Sequence, residues 1–261
     1  MSPVASAGDT RPDTTPEFSV VVATRDRAAS LAATLGAIAV QRDASFEAIV
    51  VDDGSRAEQA VRVERLVGDL GPRFRLVTTG PAGHAGSGPA RARNAGLAAA
   101  RGRYVTFCDD DDEWCDPEHL RIAAAALRAS DADAYFASQR GLAGRETVID
   151  DWQPGLTAAA PGWPAVGADG VRDAPIDALV ASPRFAHLNV LTVRRGLAVE
   201  LGGFRPGVAY EEDLDFYWRV LDRARRVLFR PACVAIHHVP DPAAAASVST
   251  RLDLQDRTLQ R

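Results

Sequence analysis

Four consecutive aspartates, Asp109–Asp112, follow a strand-like run over residues 103–108. Neighbouring carboxylates repel one another and resist ionising together, so such a cluster at the end of a buried strand needs a counter-cation or full exposure to water. Hard divalent cations prefer oxygen ligands, and magnesium combines one or two carboxylates with water and substrate phosphates. The run therefore predicts a site for a metal and a diphosphate. The alternative is a solvated loop in which Asp116 caps a helix over residues 117–127.

The segments before this run alternate between strand and helix patterns. Apolar and β-branched runs predict strands at 18–23, 46–51, 73–78 and 103–108. Apolar residues at helical spacing predict helices at 28–40, 58–70 and 90–100. Strands separated by helices of about a dozen residues indicate right-handed βαβ units, and hence an α/β fold with a mainly parallel central sheet flanked by helices.

Polar clusters follow each of the four predicted strands, at 24–27, 52–55, 80–93 and 109–112. Ligands of open parallel sheets bind at the carboxyl ends of the strands, so we expect the four clusters to meet at one edge. The first two strands carry no GxGxxG, which disfavours a standard dinucleotide site. The glycine-rich segment 80–89 does not end in Gly-Lys-Ser/Thr; it is either a mobile loop beside the ligand or a plain connector.

Composition limits the classes of protein that fit. The chain has 261 residues, 46% of them hydrophobic, so it can bury the core of one large domain. A net charge of -5 argues against a general nucleic-acid binder. Three cysteines without paired CxxC spacing favour a reduced, cytoplasmic protein. No stretch approaches the roughly 20 apolar residues of a membrane span, although peripheral contact with a membrane stays open.

The second half of the chain is less regular. Its patterns predict strands at 131–138, 145–151, 188–193 and 229–238, and a long loop at 152–172 that we expect to vary with substrate. A helix begins at the acids Glu211, Glu212 and Asp213. For Glu211 and Glu212, a simple favourable interaction with the helix dipole is the better interpretation. The pair His237-His238 ends the last strand and by itself indicates a structural feature more than a ligand.

Taken in order, four motifs resemble those of the family 2 glycosyltransferases. They are the opening strand and turn at 19–27, Val-Asp-Asp-Gly-Ser at 51–55, Ala-Arg-Asn-Ala-Gly at 92–96 and the DxD segment at 109–112. The Glu212-Asp213 pair matches the ED motif of the same family. The resemblance implies a single domain of the glycosyltransferase A (GT-A) fold. It also implies an inverting, metal-dependent enzyme that moves a sugar from a nucleotide-diphosphate donor to a hydroxyl acceptor.

The resemblance also implies roles for individual residues. Asp111 would hold Mn²⁺ or Mg²⁺ with help from Asp109 or Asp112, and His238 is a secondary candidate ligand. Asp213 would be the general base that takes the proton of the acceptor hydroxyl. The donor, a UDP- or dTDP-sugar in our expectation, would contact a further set of residues: Ala23, Thr24, Arg25, Asp53, Arg93, Asp109 and Asp110. Arg25 stands where an aromatic residue often stacks on the base, which leaves the identity of the base open.

The domain boundaries follow from the same reasoning. We expect a disordered tail at 1–16, the transferase domain at 17–240 and a helical tail at 241–261. Within the domain, 17–120 would bind the nucleotide sugar and 121–240 the acceptor. The sequence does not identify the acceptor, which could be a small molecule, a glycan or a lipid-linked intermediate, nor the oligomeric state.

Two other enzyme classes and one non-enzymatic class compete with this interpretation. A sugar-1-phosphate nucleotidyltransferase uses a similar sheet, but the chain lacks the glycine-rich basic loop that such enzymes need after the first strand. A phosphatase with an aspartyl nucleophile carries Asp-x-Asp after its first strand, whereas here the acids follow the fourth. A non-catalytic sugar- or nucleotide-binding module is disfavoured because the candidate metal ligands and the candidate base are both present.

Overall fold

The predicted strands and helices form one mixed sheet with helices packed against it. The computed structural model describes residues 15–208 and 211–239. The strands are β1 (Phe18–Thr24), β2 (Phe46–Asp52), β3 (Phe74–Thr78), β4 (Tyr104–Phe107), β5 (Glu113–Trp114), β6 (Ala134–Ala143), β7 (Glu146–Ile149), β8 (Arg172–Ala174), β9 (Leu191–Arg194) and β10 (Val227–His238). The helices are α1 (Ala28–Ala39), α2 (Ala57–Asp69), α3 (Pro89–Ala99), α4 (His119–Ser130), α5 (Pro154–Ala159), α6 (Ile176–Val180), α7 (Arg195–Glu200) and α8 (Glu212–Arg223).

The sheet runs in the order β3-β2-β1-β4-β9-β6-β10-β5, with β7 on β6 and β8 on β10. Strands β3, β2, β1 and β4 are parallel neighbours. β9 runs antiparallel to both β4 and β6, so β6 and its parallel partner β10 point the same way as β4. The carboxyl ends of β1, β2, β4, β6 and β10 consequently share one edge of the sheet, and the start of β9 lies there too.

The interior of the sheet is apolar on both faces where helices cover it. Every residue of β2 is buried, as is all of β4. Helix α3 packs on β1 and β2, and this contact is close because Gly96 faces the side chains of Val21 and Val51. A sheet covered on both faces favours strands with apolar residues at successive positions, as at 20–23 in β1 and 48–51 in β2. The buried Glu47 of β2 is paired with Ser19, Arg75 and Arg101.

The sequence predicts the first half well and the second half less well. The expected α/β class with a parallel central sheet is confirmed. The segment predicted as a long loop, 152–172, instead contains α5, a 3-10 turn over Ala160–Gly162 and the start of β8. The predicted strand at 188–193 divides into a 3-10 turn, Leu188–Val190, and β9. The predicted C-terminal helical tail, 241–261, and all but two residues of the predicted N-terminal tail lie outside the described residues.

Candidate functional site

The four aspartates form a turn directly after β4, at the edge where the parallel strands end. The turn is closed by a hydrogen bond from the Asp112 amide to the Asp109 carbonyl, 3.2 Å. Its side chains alternate in burial: Asp110 and Asp112 are buried, whereas 25% of the Asp109 side chain and 42% of the Asp111 side chain are exposed. Asp109 and Asp111 therefore face the cleft, and Asp110 and Asp112 face the protein.

Asp110 and Asp111 meet groups from the turn that follows β1. Thr24 donates its hydroxyl to Asp110 over 2.6 Å. Arg27 donates from Nη1 to Asp110 over 3.0 Å and to Asp111 over 2.8 Å. Burial and the neighbouring Asp112 and Asp109 raise the pKa of Asp111 to about 6, even with Arg27 beside it. The acidic turn thus carries more negative charge than its own surroundings neutralise, which is a property of cation sites.

Asp112 orients a histidine from β10. Its Oδ2 lies 2.7 Å from Nδ1 of His237 and also accepts a hydrogen bond from the amide of Asn189, while its Oδ1 accepts from the backbone N–H of His238. Asn189, in the turn before β9, in turn accepts from the backbone N–H of Asp109. Both ends of the acidic turn are therefore fixed by one buried asparagine from the second half of the chain.

The two histidines at the end of β10 point in different directions. The ring of His237 faces the acids, whereas Nε2 of His238 lies 3.6 Å from Glu113. The geometry supports His237, and not His238, as the imidazole of this site. One ligand atom each of Asp112, His187 and His237 lies within 4.8 Å of the others. Because the oxygens of Asp112 already accept three hydrogen bonds, we regard Asp112 as the residue that orients His237 and not as an open ligand.

Arg93 joins the acidic turn to the start of α8. It donates to Asp109 over 2.8 Å and to Glu212. Burial alone would raise the pKa of Asp109, but Arg93, His187 and His237 lower it to about 2. Burial and the adjacent Asp213 raise the pKa of Glu212 above its ordinary value, despite Arg93. Glu212 is therefore a buried partner of Arg93, a more specific role than the interaction with the helix dipole that the sequence suggests.

Asp213 shares the cleft with Asp109. Nε2 of His187 lies 4.0 Å from Oδ2 of Asp213 and 3.9 Å from Oδ2 of Asp109. The Asp213 side chain is 19% exposed, and its Oδ1 accepts a hydrogen bond from the backbone N–H of Leu214. The candidate base and the acidic turn thus flank one imidazole, although they lie about a hundred residues apart in sequence.

The ends of β1 and β2 meet the glycine-rich segment. Asp53 accepts hydrogen bonds from the backbone N–H groups of Ser87 and Gly88, at 2.7 and 2.8 Å, and from the Thr79 hydroxyl at 2.5 Å. Burial would raise the pKa of Asp53, but these hydrogen bonds outweigh it and the pKa lies below its ordinary value. Arg25 is exposed and donates to the carbonyls of His84 and Ala85, and these contacts tie the segment to the site.

Most of the predicted site residues converge on this edge. Ala23 is half-buried near the end of β1, beside Thr24 and Arg25, and β1 pairs with β4, the strand that leads into the acidic turn. Sequence reasoning gave Arg27, His187 and Asn189 no role at the acidic turn. Arg27 was visible as part of the polar turn at 24–27. From sequence, His187 and Asn189 could be named only as residues of the irregular second half that set the sugar and the acceptor, with Asn189 inside the predicted strand at 188–193.

A family model described as Glycosyl transferase family 2 matches residues 19–150, which is 132 of the 261 residues. The chain belongs to glycosyl transferase family 2. The match includes the acidic turn, Asp53 and Arg93, and it ends before His187, Asp213 and His237. The resemblance that the motifs suggested is thereby confirmed, and the roles of the residues in the second half depend on the geometry above.

Curated relatives match this chain over part of their length. It is 30% identical over 146 residues to the poly(ribitol-phosphate) beta-N-acetylglucosaminyltransferase TarS of Staphylococcus aureus strain Mu50, covering 54% of this chain and 24% of TarS. It is 26% identical over 252 residues to the O-antigen biosynthesis protein RfbC of Myxococcus xanthus, covering 91% of this chain and 17% of RfbC. This chain therefore spans about a quarter or less of these two proteins.

Solved structures show the same fold. S. aureus TarS 1–349 in complex with UDP-GlcNAc superposes with a TM-score of 0.68 at 20% identity, covering 91% of this chain and 62% of that one. The mannosyltransferase PcManGT from Pyrobaculum calidifontis, in complex with GDP-Man and Mn²⁺, gives 0.59 at 22% identity, covering 89% of this chain and 59% of that one. The expected GT-A fold is confirmed. Of the helices in residues 15–208 and 211–239, none combines the length and apolar character that a bilayer span requires.

Proposed function

We propose that this chain transfers a sugar from a nucleoside-diphosphate donor to an acceptor hydroxyl, with inversion at the anomeric carbon. The observation that carries the proposal is the position of His187, within 4.0 Å of both Asp109 and Asp213. A transferase needs one group that faces the leaving diphosphate and another that faces the incoming hydroxyl, with the sugar between them. The acidic turn and Asp213 supply these two groups, and both lie within 4.0 Å of Nε2 of His187.

The nucleotide part of the donor would bind at the carboxyl ends of β1 and β2. Ala23, Thr24 and Arg25 line this side, and the Arg25 guanidinium can stack on a base or bind a phosphate. Contact between Asp53 and the base stays a prediction, because its carboxylate accepts three hydrogen bonds from residues 79–88. We therefore assign Asp53 first to holding that segment against the donor. The relatives of known structure bind UDP-GlcNAc and GDP-Man, which supports a nucleotide sugar without selecting the base.

The carboxylate and imidazole groups at the acidic turn are suitable ligands for a divalent cation. Asp111 is accessible and has a pKa raised to about 6 by burial and like charge, which is the condition that a bound cation relieves. We propose that Asp111 and Asp109 hold the ion with Nε2 of His237, and that Asp112 orients the His237 ring. When bound, Mg²⁺ or Mn²⁺ would neutralise charge on the departing diphosphate. The geometry does not support His238 as a ligand, since Nε2 of its ring lies 3.6 Å from Glu113.

Asp213 is the proposed general base. Its carboxylate would accept the proton of the acceptor hydroxyl while that oxygen attacks the anomeric carbon and the bond to the diphosphate breaks. A single displacement of this kind inverts the configuration. Arg93 and Glu212 form a buried ion pair immediately before it, and this pair fixes the start of α8 against Asp109. These contacts hold the base beside Asp109, the acid that would face the leaving group.

Nucleotide-dependent thermal stabilisation tests the proposal. The melting temperature is measured with UDP, dTDP and GDP, each with and without Mn²⁺. We expect at least one of these nucleotides to raise the melting temperature only when Mn²⁺ is present. Ligand at a hundredfold excess over its Kd stabilises the native state by about 2.7 kcal/mol. Asp111→Ala should abolish the ion-dependent shift, whereas Asp69→Ala, an exposed acid at the end of α2, should retain it. A chain that none of the three nucleotides stabilises would not be a nucleotide-sugar transferase.

A further inference from the structure

The acceptor side of the cleft contains buried polar atoms without partners. Gln139 on β6 is fully buried, yet neither its amide nitrogen nor its amide oxygen has a hydrogen-bond partner within residues 15–208 and 211–239. The same holds for Nε1 of Trp152 and Nδ1 of His187. Leaving such a group unsatisfied is unfavourable, so a cluster of them indicates a bound molecule or ordered water.

These groups lie together and next to the site. The backbone N–H of Trp152 donates to the Gln139 carbonyl over 2.8 Å. The Trp152 ring lies 6.2 Å from the His187 ring and 5.4 Å from the His237 ring, measured between centroids. In the parallel pair of β6 and β10, Gln139 is opposite Ala235 and Gly141 is opposite His237, so the side chains of Gln139 and His237 share one face of the sheet.

The order of strands places this cluster on the side of the cleft away from the nucleotide. The proposed base pocket is at β1 and β2, and the acidic turn follows β4. Next come β9, β6 and β10. Strands in a sheet are spaced by about 4.8 Å, so β6 lies roughly 10 Å beyond β4. That distance separates Gln139 from the diphosphate region by about the width of a sugar.

We propose that Gln139, Trp152 and His187 form the acceptor subsite and that the acceptor is a saccharide with a pyranose ring. This inference rests on the function proposed above and names its second substrate class. A saccharide supplies several hydroxyls that both donate and accept, which is what the unpartnered amide, indole and imidazole nitrogens need. Its ring also presents an apolar C–H face, which the half-buried Trp152 can cover.

The distance between His187 and Asp213 suits two neighbouring hydroxyls of the acceptor. Nε2 of His187 and Oδ2 of Asp213 lie 4.0 Å apart. On a pyranose ring, the oxygens of two adjacent hydroxyl groups lie within hydrogen-bond distance of each other. One hydroxyl can therefore contact Asp213 while the neighbouring hydroxyl contacts His187. The hydroxyl at Asp213 is the one that reacts. Arg184 is exposed and lies 5.2 Å over the Trp152 ring, at the outer end of this subsite.

Saturation-transfer NMR on the whole chain with UDP and Mg²⁺ tests the subsite. The probes are methyl β-D-glucopyranoside, methyl α-D-mannopyranoside and cellobiose, with the acyclic ribitol for comparison. At least one pyranoside should receive saturation at its ring C–H protons, and more strongly than ribitol. Trp152→Ala should weaken this binding about tenfold or more, the scale of a lost aromatic contact. Trp218→Ala, at an exposed tryptophan of α8, should leave it unchanged.

The stability of Gln139→Leu gives an independent readout. If the amide is unpartnered in the free protein, leucine should leave the melting temperature equal or higher while weakening sugar binding. The control is Gln41→Leu: Gln41 is also buried, but it donates to the Asp116 carbonyl and accepts from Leu120, so its loss should lower the melting temperature.

The outcomes separate the two proposals. UDP binding with no pyranoside signal, or with equal signal in Trp152→Ala, would overturn the subsite and leave the transferase proposal standing. A melting temperature of Gln139→Leu as low as that of Gln41→Leu would mean that ordered water satisfies the amide, which also overturns the subsite. Sugar binding without any nucleotide binding would overturn the transferase proposal, and with it the acceptor role, and would leave only a saccharide-binding site.

Discussion

His237 is held by Asp112, whose Oδ2 lies 2.7 Å from the ring Nδ1 and which is itself fully buried. A hydrogen bond to a carboxylate requires the proton on Nδ1, so in the neutral ring the lone pair is on Nε2. Burial would lower the pKa of His237, but the hydrogen bond that its ring donates to Asp112 and the charges of the surrounding acids raise the pKa above its ordinary value. The pair thus has the form of a metal-binding histidine oriented by a carboxylate.

Asp112→Asn should weaken ion binding without unfolding the protein. The amide keeps the size of the carboxylate but loses its charge, and such changes beside a metal ligand typically cost about 10- to 100-fold in metal affinity. Calorimetric titration with Mn²⁺ in the presence of the stabilising nucleotide measures this. Glu113→Gln, which alters the acid beside His238, should bind the ion as the parent does. Complete loss of binding in Asp112→Asn would make Asp112 a direct ligand, contrary to the present assignment.

His119 should make the fold sensitive to acid. It is fully buried between Trp114 and Tyr135, and burial first, then Arg230, lowers its pKa to about 3. The unfolded chain takes up the proton near pH 6.5 while the folded chain does not. Stability from this group is therefore present above pH 6.5 and falls as the pH drops towards 3, by about 1.4 kcal/mol per pH unit.

His119→Phe should remove that slope, because phenylalanine keeps an aromatic ring between the same neighbours and cannot be protonated. Urea unfolding of parent and variant at pH 7.5 and 5.5 gives the two free energies. The parent should lose about 1.4 kcal/mol more than the variant between these pH values. Equal losses would show that His119 is not the group that titrates.

Gly96 of the Ala-Arg-Asn-Ala-Gly motif should tolerate no side chain. A methyl group there would overlap Cγ1 of Val21 and lie 3.2 Å from Cγ2 of Val51, in the contact between α3 and the sheet. Gly96→Ala should lower the free energy of unfolding by about 1–3 kcal/mol, the usual cost of overpacking. Gly68→Ala in α2 meets no atom within 4 Å and should be neutral or stabilising by up to about 1 kcal/mol. Similar effects at both positions would contradict the packing described.

The first half of the fold follows from local patterns. β1, β2 and β4 are mostly apolar, and the helices between them have regular apolar spacing, so periodicity alone predicts their type and order. The reversed strand β9 between β4 and β6 was not predictable in this way, because its direction depends on pairing with residues far away in sequence. Helix α5 was hidden by a segment rich in glycine, proline and alanine.

The candidate site, like the fold, was predictable from sequence only in part. The acids at 109–112 and Asp213 carried their own signal through charge and motif. The choice between His237 and His238 did not, since adjacent residues of a strand face opposite sides and the pairing of β10 shifts register between Arg230 and Ala235. Counting along the sequence cannot locate such irregularities, and they decide which imidazole meets Asp112.

The turnover of Asp213→Asn tests the central claim most directly, with the nucleotide sugar that corresponds to the stabilising nucleotide as donor. The account predicts that donor affinity stays within about twofold while turnover falls by about 10²- to 10⁴-fold, the usual worth of a positioned base. Asp222→Asn, at an exposed acid of the same helix, should turn over normally. Near-normal turnover in Asp213→Asn with donor bound would contradict the assignment of Asp213 as the base opposite the acidic turn.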